Sequence, residues 1–350
     1  MPHTLDITAL PTLDLSLLDG SAQQRQGFLE DLRHAARDVG FFYLTGHGID
    51  AGLLRQVQDQ ARQFFALPDS EKAAVGMINS PHFRGYNRAA SEITRGKPDQ
   101  REQFDLGAER EVLPLRPDSP LWARLQGPNQ WPQTLPQLKP LLLDWQQAMT
   151  RMSLRLLRAF AEALSLRADA FDRLYGDKPN EHIKLMRYPG QSAADSHQGV
   201  GAHKDSGFLS FLLQDQQAGL QVEVEEGRWI DALPRDNTLV VNIGELLELA
   251  TNGYLRATVH RVLSPAQGRE RLSIAFFLGA QLDAVVPLYP LPTALLREAR
   301  GPASDPLNPL FRDVGQNYLK GRLRSHPDVA RRFYADALAP QNPLPKAVNA

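Results

Sequence analysis

The chain has 350 residues, enough for one large domain or two modest ones with a sizeable core. Its 39 basic and 40 acidic residues give a formal net charge of -1, and no block of like charge indicates a nucleic-acid or membrane surface, so a small-molecule partner is expected. It contains no cysteine, which excludes disulfides, thiolate zinc sites, iron–sulfur clusters and a cysteine nucleophile.

The amino-terminal segment lacks the basic and then apolar stretches of a secretory signal. No apolar run approaches the ~20 residues that a membrane helix needs. We therefore expect a cytoplasmic protein without a membrane partner, with a monomer as the default oligomeric state.

The first half of the chain predicts helices. Ser21 can cap a helix with apolar residues at i, i+4 and i+8 spacing, and Gly40 ends it. FFYLTGHG then predicts a short strand that runs into a glycine turn. A second helix is predicted from Leu53 to Phe65, and a long one from about Leu135 to Leu164. Residues 79–110 between them are turn-rich and polar.

From Ile183 onward the apolar period switches to two, which indicates strands. Strands are predicted in LSFLL, GLQVEVEEGRW, TLVVNIG, TVHRVLS and RLSIAFFLGA. Many short strands in one block, with helices before and after, favour a mainly β sandwich or barrel buttressed by helices. The proline-rich tail PQNPLPKAVNA is expected to be frayed.

Two histidines and one aspartate form the main candidate metal site. His203 and Asp205 are two residues apart at the head of a predicted strand, so we expect both side chains on one face. His260 lies on the separate strand TVHRV. Two imidazoles and one carboxylate, with the other coordination positions open, are typical of the iron(II) oxygenase facial triad.

Arg271 and Ser273 form a second i, i+2 pair on a later strand. An arginine fork beside a hydroxyl can bind a carboxylate bidentately. Each of these short patterns occurs by chance in other proteins, and a single histidine is more often structural than a ligand. Their order on successive predicted strands carries more weight than any one of them, and we expect His260 and Arg271 on neighbouring strands of the same barrel.

Longer segments extend this pattern over nearly the whole chain. These segments are ARDVGFFYLTGHGI, FRGYNRAASEITRGKPDQREQFDLG, GVGAHKDSGFLSFLLQD, GLQVEVEEGRWIDALP, TLVVNIGELLELATNGYLRATVHRVLS and RLSIAFFL. With them the chain resembles the isopenicillin N synthase-like family of iron(II) and 2-oxoglutarate-dependent oxygenases. The run from TNG to HRV is the most specific element.

The resemblance implies a distorted double-stranded β-helix, or jelly roll, packed against long helices. It implies that His203, Asp205 and His260 bind iron(II), and that Arg271 and Ser273, assisted by Tyr188, bind the C5 carboxylate of 2-oxoglutarate. The implied reaction consumes dioxygen and 2-oxoglutarate, releases succinate and carbon dioxide, and oxidises a C–H bond of a small molecule by hydroxylation, desaturation or ring closure.

The same resemblance divides the chain into four segments of one compact unit. Residues 1–110 form the amino-terminal oxygenase region, 111–180 a helical segment, 181–290 the jelly-roll core, and 291–350 the carboxy-terminal helices and tail. Arg84 and Tyr86, in FRGYN, could project toward the mouth of the site and contact substrate, or could belong to a surface loop. Glu92 is a weaker candidate, and we expect His47, His182, His197 and His326 to be structural.

Two positions depart from the family pattern. Met186 stands where many plant relatives carry an asparagine, and Gly279-Ala280 replaces the usual Asn-Pro or Glu-Pro. Isopenicillin N synthase uses its arginine–serine pair for substrate, so an oxoglutarate-independent iron oxidase is an alternative. The chain could also be a zinc hydrolase, although HExxH is absent, or a non-catalytic jelly-roll binding protein.

Overall fold

The computed structural model describes residues 7–94, 96–191, 198–303, 305 and 308–338. His197 and the proline-rich tail lie outside these residues. The strands are β1 Thr12–Asp14, β2 Phe41–Thr45, β3 Gly85–Asn87, β4 Ile93–Thr94, β5 Lys97–Pro98, β6 Glu102–Gly107, β7 Asn180–Pro189, β8 Gln198–His203, β9 Leu209–Gln214, β10 Leu220–Glu225, β11 Arg228–Asp231, β12 Leu239–Ile243, β13 His260–Leu263 and β14 Glu270–Gly279.

The helices fall before, between and after these strands. They are α1 Ala22–His34, α2 Ala51–Phe65, α3 Asp69–Ala74, α4 Leu138–Ala163, α5 Asp172–Tyr175, α6 Glu245–Ala250, α7 Thr293–Leu296, α8 Val314–Ser325, α9 Pro327–Phe333 and α10 Ala335–Leu338. None of the helices within the described ranges is long and apolar enough to cross a membrane.

The first helix shows how local sequence sets the boundaries. Ser21 and Gln24 form a reciprocal capping box, with the Gln24 backbone N–H donating to Ser21 Oγ at 3.3 Å. After α1 a single π-helical turn, Ala35–Val39, ends at Gly40 with φ of 74°. A Cβ at Gly40 would lie 2.2 Å from the Arg256 carbonyl oxygen, so this turn requires glycine.

Two sheets face each other across the core. The major sheet has the order β1-β2-β12-β9-β14-β7-β6-β3, and the minor sheet has the order β11-β10-β13-β8. The outer face of the major sheet packs against α1, α2 and α4, with Trp145 edge-on to Phe276 at 6.0 Å. The inner faces enclose a second apolar cluster to which both sheets contribute, including Met186, Val222 and Val262. The predicted jelly-roll fold buttressed by helices is confirmed.

Three details of the sequence prediction were wrong. Residues 79–110 are not merely turns, because they contain β6, whose six residues are all buried within the major sheet. His203 is the last residue of β8 and Asp205 lies in the loop before β9, so strand alternation is not what brings them together. His260 and Arg271 lie in opposite sheets, not on neighbouring strands.

Candidate metal and co-substrate site

A cluster of two imidazoles and one carboxylate lies at one end of the space between the sheets. His203 and His260 are directly opposite each other on the antiparallel pair β8 and β13, with ring centroids 4.3 Å apart. Asp205 Oδ1 lies 3.6 Å from His203 Nε2 and 3.8 Å from His260 Nε2. One ligand atom from each residue lies within 4.8 Å of the others, so the three could share one ion.

Hydrogen bonds orient each of these side chains. His203 Nδ1 lies 2.8 Å from the Gly201 carbonyl oxygen, and His260 Nδ1 lies 3.2 Å from the Thr258 carbonyl oxygen. Since a carbonyl only accepts, Nδ1 carries the proton in both rings and Nε2 is left to bind a metal. Asn242 Nδ2 donates to Asp205 Oδ2 at 3.0 Å and leaves Oδ1 toward the imidazoles. The sequence patterns did not indicate Asn242, although it is the one polar residue in the strand LVVNI.

The pKa shifts of the three side chains favour an ionised Asp205 beside the two histidines. Burial raises the pKa of Asp205, but His260 and His203 outweigh it and hold that pKa well below its usual range. Burial, and then the charge of His203, lowers the pKa of His260 to about 4. The His203 pKa is raised, because the Asp205 hydrogen bond outweighs the effect of burial. An ionised carboxylate beside two imidazole Nε2 atoms could therefore hold a divalent ion.

A buried arginine lies on the facing wall. Arg271 of β14 is opposite Tyr188 of β7 in the strand register, and its guanidinium carbon is 5.0 Å from the Tyr188 ring centroid. Its Nη1 donates to Ser273 Oγ at 3.1 Å and its Nη2 to Gln214 Oε1 at 2.9 Å. The three residues that the sequence pattern proposed for carboxylate binding are thus adjacent, and Gln214 joins them.

This arginine has no anionic partner among the described residues. Arg271 is 0% exposed, its Nε has no hydrogen-bond partner in the described part of the chain, and burial lowers its pKa. A buried guanidinium without a carboxylate is unfavourable until an anion reaches it. The Arg271 and Ser273 pair therefore fits a carboxylate ligand such as one end of 2-oxoglutarate.

The structure treats the two substrate candidates differently. Arg84 Nη1 lies 3.4 Å from His182 Nδ1 on the inner side of the major sheet, and its guanidinium rests on Gly107. Tyr86 is paired with Phe104, contacts Phe64 and donates to Glu102 Oε2 at 2.6 Å, on the face that packs against the helices. The structure therefore does not bring Tyr86 to the site, because a strand side chain can face only one side of its sheet.

The other described histidines have their own surroundings. His47 Nδ1 accepts from the Ile49 backbone N–H at 3.1 Å within its turn. His182 lies 2.9 Å from Asp105, but burial and the neighbouring Arg322 lower its pKa to about 3. Burial lowers the pKa of His326 to about 4. None of these three belongs to the cluster of metal-type ligands found among the described residues.

Two facing sheets, with a His-Asp-His cluster at one and a fully buried arginine on the other, form the arrangement typical of a non-haem metal oxygenase. Residues 10–134 match the family described as non-haem dioxygenase in morphine synthesis N-terminal, and residues 179–280 match the 2OG-Fe(II) oxygenase superfamily. The chain belongs to the 2OG-Fe(II) oxygenase superfamily.

Individual relatives agree with that assignment. The chain is 40% identical to the 2-oxoglutarate-dependent dioxygenase frbJ of Dothideomycetidae sp. over 96% of this chain and 95% of frbJ. It is 33% identical to a homoarginine-6-hydroxylase of Arabidopsis thaliana over 80% of this chain and 87% of that protein. A Neurospora crassa structure in complex with alpha-KG and 5-formyluracil is 26% identical, with a TM-score of 0.73, covering 92% of this chain and 98% of that one. The protein is a dioxygenase that uses Fe(II), 2-oxoglutarate and O2.

Proposed function

We propose that His203, Asp205 and His260 bind the Fe(II), and that Arg271, Ser273 and Tyr188 bind the far carboxylate of 2-oxoglutarate. The observation that carries this proposal is the pairing of an open ligand cluster with a fully buried Arg271 on the facing wall, for which the described residues provide no carboxylate partner. When bound, the iron and 2-oxoglutarate supply the oxidation of a C–H bond by dioxygen.

The protein's own part is to orient the ligands and exclude water. Carbonyl partners fix both imidazole rings, and Asn242 fixes the carboxylate of Asp205. The Phe41 ring lies edge-on to His260 at 5.1 Å and shields it from solvent. Ligands held in fixed orientations beside apolar side chains limit side reactions of reactive species.

For the substrate we propose a small molecule that carries charged groups, with homoarginine as the first candidate, and hydroxylation as the outcome. Relatives named homoarginine-6-hydroxylase support the compound and the reaction. Charged side chains on the inner wall of the major sheet support the polarity. Arg84, Lys184 and Arg322 are buried or half-buried there, around His182 and Asp105.

The test is to reconstitute the protein with Fe(II), supply 2-oxoglutarate and dioxygen, and follow succinate formation with and without homoarginine. Uncharged small molecules of similar size provide the comparison set. We expect homoarginine to stimulate succinate formation and to gain one oxygen atom by mass spectrometry. An Asp205→Ala variant is the negative control. Equal stimulation by the uncharged compounds would contradict the substrate proposal while leaving the oxygenase assignment intact.

We also propose that the segments 1–110, 111–180, 181–290 and 291–350 form one compact unit, that the protein is a monomer, and that it acts in the cytoplasm. The apolar cluster on the outer face of the major sheet supports the first point, since it includes residues between Leu13 and Val314. Limited proteolysis, analytical ultracentrifugation and fractionation of the source cells test the three proposals in turn.

A further inference from the structure

A second buried arginine lies beside the co-substrate arginine. Arg101 directly precedes β6 and is 8% exposed. Its Nη2 donates to Glu92 Oε2 at 2.5 Å, and its Nη1 lies 3.2 Å from Met186 Sδ. Its Nε has no hydrogen-bond partner among the described residues. The guanidinium is therefore anchored at Nη2, while Nη1 meets a weak acceptor and Nε has no acceptor among the described residues.

Tyr188 and Arg101 both direct a hydrogen-bond donor at the sulfur of Met186, which is a weak acceptor. The Tyr188 hydroxyl lies 3.4 Å from the same Met186 sulfur that Arg101 Nη1 approaches. A thioether sulfur accepts hydrogen bonds only weakly, whereas a guanidinium and a phenol are strong donors. Both groups thus retain hydrogen-bonding capacity for an oxygen ligand. Tyr188 is also the residue over which Arg271 lies.

Arg101 stands between the two ends of the site. Its positive charge acts on both Arg271 and His203. The neighbouring Asp99, 3.5 Å from Arg101 Nη2, accepts from the Gly201 backbone N–H at 3.1 Å, two residues before His203. The segment that carries Arg101 is therefore attached to the strand that ends at the metal cluster.

We infer that Arg101 donates a hydrogen bond to the 2-oxoglutarate bound between Arg271 and the metal ligands. This inference rests on the proposed function of that site. 2-Oxoglutarate is a dianion, and Arg101 gives the co-substrate site a second guanidinium in addition to that of Arg271. Arg101 thus supplies a hydrogen-bond donor for 2-oxoglutarate next to Met186, whose thioether side chain has no donor.

A purely structural role explains less of this arrangement. Glu92 also accepts from Lys184 Nζ, at 2.9 Å to Oε1 and 3.1 Å to Oε2, so it keeps an ion pair when Arg101 is absent. An arginine needed only to neutralise Glu92 would have no reason to direct Nη1 at a sulfur next to Tyr188. Arg101 acts as a binding residue for the co-substrate.

The test uses Arg101→Gln in the full-length protein, loaded anaerobically with Fe(II) and titrated with 2-oxoglutarate while the metal-to-ligand charge-transfer band is followed. Iron(II) affinity and melting temperature are measured separately. Arg187→Gln is the matched control, because Arg187 pairs with Glu102 and Glu270 on the opposite face of the same sheet region. Arg101→Met repeats the test if the glutamine variant does not fold.

We expect Arg101→Gln to raise the Kd for 2-oxoglutarate about tenfold, as the loss of one charge-assisted hydrogen bond requires, with iron(II) affinity unchanged. Arg101→Lys should recover part of the affinity, and Arg187→Gln should match the wild type. A Kd within about twofold of the wild type in the folded Arg101 variant would overturn the inference. A wild type with no charge-transfer band would instead overturn the proposed function itself.

Discussion

The two ends of the site are built in different ways. At the metal end the candidate ligands come from the last residue of β8, the loop after it and the first residue of β13, and the His203 side chain is 30% exposed. At the other end Arg271 and Tyr188 lie within two ten-residue strands that pair along their full length, and Arg271 is 0% exposed. The metal end is thus partly exposed to solvent, whereas the arginine end is fully buried between paired strands.

The metal end and the arginine end of the site also differ in charge. At the metal end the Asp205 carboxylate lies 3.6 Å from His203 Nε2 and 3.8 Å from His260 Nε2, and these rings hold its pKa below its usual range. At the other end Arg271 has no carboxylate partner among the described residues. The metal end therefore carries a carboxylate that favours a cation, while the arginine end is unfavourable until an anion enters. Variants at the two ends should separate these properties.

The largest effect is expected at the metal end. Replacing His260 with alanine should abolish iron(II) binding and, with it, dioxygen uptake that depends on 2-oxoglutarate, because a facial site has only three protein ligands to lose. Metal analysis after anaerobic loading and gel filtration measures this. His47→Gln is the control, since His47 is equally buried but bonded only within its own turn and to Asn237. Full iron occupancy in His260→Ala would refute the assignment.

The next largest effect is expected at Arg271, where co-substrate binding and protein stability should respond differently to a substitution. Arg271→Met should weaken 2-oxoglutarate binding at least about tenfold, because a bidentate charged contact is lost, and should leave iron(II) binding intact. The apoprotein should melt at no lower temperature than the wild type, because an apolar side chain replaces a buried cation that lacks a counter-ion. Anaerobic titration and calorimetry test both parts. A clear fall in melting temperature would show that the charge of Arg271 is balanced in the protein without 2-oxoglutarate.

A smaller effect is expected at His326, a buried histidine that directly precedes α9. His326 is 1% exposed, its Nε2 lies 3.8 Å from Glu92 Oε1, and burial lowers its pKa to about 4. The unfolded chain, with an ordinary pKa of about 6.5, binds more protons between those two values. The stability contributed by neutral His326 is thus present above about pH 6.5 and is lost as the pH falls toward 4.

His326→Gln should therefore flatten the acid side of the stability profile, by up to about 1.4 kcal/mol per pH unit. Urea unfolding at several values between pH 7 and pH 4 measures the slope in both proteins. Parallel profiles for wild type and His326→Gln would exclude this origin of acid sensitivity.

The sequence analysis predicted the strands in which apolar residues recur at every second position or continuously, but it missed β6. In β6 the outward residues Phe104 and Leu106 are apolar, and the inward residues Gln103 and Asp105 are polar yet buried. Asp105 is buried because His182, Lys184 and Arg322 surround it, and these partners are between 77 and 217 residues away in the chain. Such long-range ion pairing leaves no local signal, so the segment has the composition of a polar loop.

The candidate site was predictable to the extent that its chemistry is local. His203 and Asp205 are a triplet, and Arg271 and Ser273 are another, so the residue types alone indicate metal and carboxylate binding. That His260 and Arg271 face each other from separate sheets depends on strand pairing, which alternation does not specify. Arg101 was missed for the same reason, because its contacts to Met186 and Tyr188 exist only after β6 pairs with β7.

The smallest expected effect concerns Tyr86, which the sequence suggested for substrate contact and which the fold directs away from the site. Tyr86→Phe removes one hydrogen bond to Glu102, which still pairs with Lys72 and Arg187. The free energy of unfolding should fall by about 1 kcal/mol, the usual net value of such a bond. The KM for substrate and the Kd for 2-oxoglutarate should not change, because the removed hydroxyl lies on the helix-packed face of the sheet. Urea unfolding and steady-state kinetics on the same preparation check both quantities. A several-fold rise in KM at unchanged stability would mean that substrate reaches Tyr86, and that the two faces of this sheet edge are not separate.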